Sequence, residues 1–158
     1  MSYDLDAYRM PADLSERALA KLFEEDEAEE RALPLTAEER ERLASALQAV
    51  DPSAERHDGE GEIELDTDAL QLFISESGVT MNVPYHGLGD SGRSPIDQAY
   101  AYADVLAAHG LTVWDPQSEM IVSADETDRG AATDRFAATS DMVDQLAEPA
   151  PRWKFWKR

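Results

Sequence analysis

Few residues in the chain have the types and spacing that chemistry requires. Histidines stand at 57, 86 and 109, and no two share the helical or zinc-finger spacing that would bring them onto one metal ion. Cysteine is absent, which removes thiolate nucleophiles, thiolate metal sites and disulfides together. The densest polar group is Tyr85, His86 and Asp90, within a stretch from Pro84 to Arg93 that also holds Gly87, Gly89 and Gly92. A loop between a strand and a helix is a common place to hold a ligand at the rim of a sheet. These three residues, with Asp115 at a strand end, are therefore the candidate binding site of a small hydrolase. The glycines match Gly-x-Gly-x-x-Gly in spacing but follow a strand broken by Pro84 and are backed by acids. Gly89-Asp90-Ser91-Gly92 offers a serine without the setting of a nucleophile elbow. Asp115-Pro116-Gln117 is equally explained as a turn. No cofactor and no metal ion is implied by any of these spacings.

A second candidate is the end of the chain, Pro151-Arg152-Trp153-Lys154-Phe155-Trp156-Lys157-Arg158. Trp153, Phe155 and Trp156 alternate with four cations, a pattern that suits an anionic lipid surface, nucleic-acid bases or an acidic groove. Eight residues are short for a membrane anchor, so weak membrane contact or none is expected. A tail that folds back on the acidic body is the plainer alternative.

Charge locates the contrast. The 158 residues carry 34 acids and 14 bases, a net charge of −20. Only ten of those bases precede residue 152, so the body is at −24 and the tail at +4. Such a body lacks the basic face that nucleic acid requires. It fits instead a basic protein partner. Glu24, Glu25, Asp26, Glu27, Glu29 and Glu30 surround Ala28 in the most acidic run. The run reads as a solvated face, because like charges four apart weaken a helix by only about 0.2–0.5 kcal/mol per pair. The opening Met-Ser-Tyr-Asp-Leu-Asp has no signal-peptide character, and no apolar run approaches the roughly 18 residues of a membrane span. A cytosolic protein is expected.

The elements that must position these groups follow from periodicity. Tyr3, Leu5 and Ala7 alternate with polar residues as in a half-buried strand. Asp13 and Glu16 are spaced as a capping box before a helix with Leu14, Ala18, Leu19, Leu22 and Phe23 on one stripe. Thr36 and Glu39 form a second box before Leu43, Leu47 and Val50. Residues 53–61, with His57 among them, read as an exposed loop. Ile63 and Leu65 predict a short strand. Leu70, Leu72 and Ile74, then Val79, Met81 and Val83 across Ser77-Gly78, predict a hairpin. Ser94 and Pro95 start a helix with Ile96, Ala99, Tyr100, Ala103, Leu106 and Ala107 inward, and Gly110 ends it. Leu111 and Val113, then Met120 to Val122, are strand-like.

The expected fold is α+β, an antiparallel sheet of four to five strands with helices on one face, approximating the ferredoxin-like or split βαβ plan. One domain spans 1–122, and 123–158 is an acidic, partly helical or disordered extension ending in the basic-aromatic tail. The opening Met1-Ser2-Tyr3-Asp4-Leu5 and the later Gly110-Leu111-Thr112-Val113-Trp114-Asp115-Pro116-Gln117 resemble a group of small uncharacterised bacterial proteins. That resemblance covers roughly 1–117 and implies no activity and no site residue. Two functions are expected in competition: an acidic immunity or regulatory module that binds a basic protein, and a hydrolase with its site at Tyr85 to Asp90. A peripheral membrane protein held by the tail is the third alternative.

Overall fold

The computed structural model describes residues 2–84, 95–122, 134 and 136–139. Among them the chain runs β1 (Ser2–Tyr8), α1 (Glu16–Glu24), α2 (Ala28–Arg31), α3 (Ala37–Val50), β2 (Glu55–Asp58), β3 (Ile63–Asp66), β4 (Gln71–Ile74), β5 (Val79–Pro84), α4 (Pro95–Ala108), β6 (Thr112–Asp115) and β7 (Met120–Ile121). Residues 136–139 are also helical. The strands form one open antiparallel sheet of seven in the order β2-β3-β4-β5-β1-β6-β7. The α+β class is as expected, and the sheet is larger than the expected four to five strands. Of the strands, β2 is a short edge without apolar periodicity, Glu55-Arg56-His57-Asp58. Arg56 binds Glu41 and Asp58, so β2 is held by ion pairs on a segment that reads as a loop.

Strand alternation divides the sheet into two faces. On one, the register sets Leu65 opposite Leu72, Leu72 opposite Met81 and Met81 opposite Leu5. A second apolar row runs Ile63, Ile74, Val79, Ala7, Val113. Leu43, Ala44 and Leu47 of α3 and Ile96, Ala99, Tyr102, Ala103 and Leu106 of α4 cover these rows in the main core. Phe136 joins that core from beyond residue 122 and meets the Tyr3 ring edge-on at 5.8 Å. The other face is where α1 lies. Its Phe23 stacks on Trp114 at 5.2 Å and on Tyr8 at 5.8 Å. Helices therefore lie on both faces, where one was expected. Leu19 and Leu22 are half-buried around that second cluster rather than in the main core.

Local rules explain the helix ends. Ser15, not Asp13, caps α1 and accepts from the Ala18 amide at 3.2 Å, because the helix starts at Glu16. The Thr36–Glu39 box makes both of its hydrogen bonds. The Thr36 amide and then Arg9, at 2.6 Å, hold the Glu39 carboxyl below its usual range. At the end of α4 the amides of Gly110 and Leu111 donate to Ala107 and Leu106, the paired closure of a left-handed cap, with Gly110 at φ +82°. Ala107, expected inward, is exposed.

Gly78 closes the β4–β5 turn directly against β1. A Cβ there would overlap the Ala7 carbonyl and lie 2.6 Å from the Tyr8 ring. The backbone on both sides is held by sheet hydrogen bonds and cannot easily give. Gly78→Ala is thus expected to cost about 1–3 kcal/mol, as overpacking does. The measurement is the urea midpoint at constant slope. A midpoint equal to that of the parent chain would disprove this approach of turn and strand.

Candidate functional site

Asp115 is the one candidate among the described residues, and the structure buries it completely. It ends β6 and starts the turn into β7, where Glu119 takes a left-handed conformation. Its Oδ1 accepts from the Gln117 amide at 2.9 Å and the Ser118 amide at 3.2 Å, which is how an Asp before Pro ties its own turn. Its Oδ2 faces inward. There it accepts from the Ser118 hydroxyl at 2.6 Å, the Tyr3 hydroxyl, and the Tyr100 hydroxyl at 3.5 Å. Tyr3 comes from β1 and Tyr100 from α4, so one carboxylate joins two strands and a helix.

Burial, reinforced by the neighbouring Asp115 carboxylate, pushes the Tyr3 phenol far above the usual tyrosine range. The phenol stays protonated and donates. Chemically this is a carboxylate surrounded by three hydroxyls and two amides, to which the Tyr3 phenol is a donor. The sequence does not mark Tyr3, Tyr100 and Ser118 as its partners. A signal exists for Tyr3: alternation puts its ring on the buried side of β1, where a phenol needs an acceptor.

The remaining candidates fall elsewhere. Tyr85, His86 and Asp90 lie outside the described residues, as do Ser94, Trp153, Phe155 and Trp156. His57 is exposed on β2, 4.0 Å from Glu55, and His109 is exposed at the end of α4. Among the described residues no group of three histidines or carboxylates is arranged to hold a metal ion. No helix among them is long and apolar enough to cross a membrane.

The acids are not spread evenly. Asp4 and Asp6 project from β1 on the α1 face, where Asp6 accepts from Thr80 at 3.0 Å. The run at the α1–α2 junction is exposed around the buried Ala28, and its Asp26 and Glu29 charges reach Asp6. Burial chiefly raises the Asp6 carboxyl above its usual range. The charges of Asp4, Glu29 and Asp26 add to this, against the Thr80 hydrogen bond. One Asp4 oxygen is buried with no partner among the described residues. Folding therefore gathers like charges from β1 and from the α1–α2 junction at one place. Comparison with family models, curated proteins and solved structures gives no match.

Proposed function

We propose that the chain is an acidic interaction module, in an immunity or regulatory role, that recognises a basic protein partner. The observation that carries this reading is the gathering of the Asp4, Asp26 and Glu29 charges around the largely buried Asp6. Mutual repulsion there works against folding, and a partner's cations would relieve it. A field of this sign raises association rate and selectivity for a basic surface more than it raises affinity.

The test is the association rate of a purified basic partner measured across ionic strength. A steep fall from low to physiological salt is expected, as the Debye length shrinks to about 8 Å. Asp26→Lys with Glu29→Lys is expected to flatten that dependence. A partner whose association ignores both salt and these reversals would refute the reading.

One observation favours a second reading, a small hydrolase. β5 and β6 both run antiparallel to β1, so their ends, Pro84 and Asp115, lie at the same end of the sheet. In the sequence Tyr85 follows directly on Pro84. Loss of a hydrolase activity in His86→Ala or Asp90→Ala would establish it.

The chain order also supports the finer fold reading. In β5–α4–β6 the strand β1 lies between the two that the helix connects, as in a split βαβ unit. With β1, α3 and β4 this makes a ferredoxin-like arrangement to which β2, β3 and β7 are added.

A further inference from the structure

We propose that the groove between α1 and α2 is the docking surface for a cationic amphipathic helix of the partner protein. The inference rests on the function proposed above and names the surface that would carry it. The groove has a volume of about 440 Å³. That is within the range of roughly 300–1,000 Å³ typical of binding clefts. Its floor is apolar: Pro11, then Leu14, Ala18 and Leu22 at steps of four residues. Phe23 of α1 stacks on Trp114, and Leu14 and Leu22 pack beside it against the same cluster while staying half-exposed along the groove. A row at that spacing is what an amphipathic helix engages through anchors three and four residues apart.

The rim selects the sign of the visitor. Asp13, Glu25 and Glu27 stand around the floor, next to the rest of the acidic run. Lys21 and Arg31 are on the rim too, but the Lys21 amine lies 3.5 Å from Glu25, and with Glu24, Asp26, Glu29 and Glu30 alongside the acids outnumber these two cations. A cationic helix would set its apolar side on Leu14, Ala18 and Leu22 and its cations against the acids. A second copy of this chain is disfavoured as the occupant, since it carries the same charge of −20.

The experiment uses the full chain and two synthetic Leu/Lys peptides of equal length and composition. One peptide has its leucines at helical spacing and the other is scrambled. The patterned peptide is expected to bind at least about tenfold tighter. Ala18→Arg should erase that preference. Asp13→Lys with Glu27→Lys should weaken both peptides, with melting temperatures unchanged in each variant. Equal binding of the two peptides by the parent chain would overturn the groove and leave the broader acidic reading standing. So would a preference that survives Ala18→Arg. Failure of both peptides to bind at low salt would defeat the broader reading as well. Tighter binding after deletion of residues 151–158 would assign the groove to the chain's own tail and overturn the external partner.

Discussion

Replacing Asp115 with alanine is expected to remove about 3–5 kcal/mol of stability, among the largest losses any single substitution in this chain should produce. The carboxylate takes three hydroxyl and two amide hydrogen bonds with no exposure to water. Its loss strands the Tyr3 phenol and the Ser118 hydroxyl, and each buried donor left unsatisfied costs about 1–3 kcal/mol. It also unties the turn into β7. Tyr3→Phe keeps the ring against Phe136 and removes a single donor, so it should cost about 1.5–3 kcal/mol. The double variant should lose less than the two single losses together, because the two groups share one interaction. Urea unfolding of the four proteins measures all of this. A loss below about 1 kcal/mol for Asp115→Ala would contradict this account of the Asp115 cluster.

A cooperative alkaline unfolding is the second large effect expected. Burial raises Tyr3 far above the usual tyrosine range, and Asp115 adds to it. Tyr8 is pushed up to about 12, first by burial and then by the charges of Asp6, Glu29 and Asp26. Tyr102 is pushed up to about 12 by burial and the charge of Asp51. In each case the folded value lies above the unfolded value of about 10. The stability these groups carry is therefore complete below pH 10 and is lost as the pH rises past it. The loss runs at about 1.4 kcal/mol per pH unit for each tyrosine, ending near pH 12 for Tyr8 and Tyr102. Phenolate absorbance should rise together with the loss of far-ultraviolet circular dichroism. Tyr102→Phe should shift the transition to higher pH at little cost near neutrality. Its hydroxyl is buried without a well-formed hydrogen bond among the described residues, Gln98 being its polar neighbour. Tyrosines that ionise singly near pH 10 in an intact fold would overturn the expectation.

Legibility in the sequence follows the range of the forces involved. The β4–β5 hairpin and the two faces of β1 could be read because alternation is a property of neighbouring residues. The Thr36–Glu39 box and the Gly110 cap could be read for the same reason. The strand β2 could not, because Glu55-Arg56-His57-Asp58 has no apolar rhythm and is held by an ion pair to Glu41 in α3. The side of the sheet taken by α1 was also hidden. Its stripe says that the helix buries a face, while only the stacking of Phe23 on Trp114 and Tyr8 says against what. At the site, Asp115 could be picked out as a carboxylate at a strand end. Its phenol partners come from 112 and 15 residues earlier in the chain, a distance over which spacing carries no signal.

The place of β1 in the sheet has a consequence for how the chain assembles. It is the earliest strand and yet sits between β5 and β6, with Ser2 opposite Pro84 and Asp6 opposite Trp114. The hairpins from β2 to β5 can close as soon as each is made, through turns of a few residues. β1 can pair on one side only after residues 79–84 exist, and on the other only after residues 112–115. On a ribosome, Leu5 and Ala7 must therefore wait until residues 79–84 have been made before their backbone begins to be covered. Pairings of such long sequence separation are the slow ones in folding. During that wait the aspartates alternating along β1 are what keep an unpaired, half-apolar strand from joining its counterpart on another nascent chain.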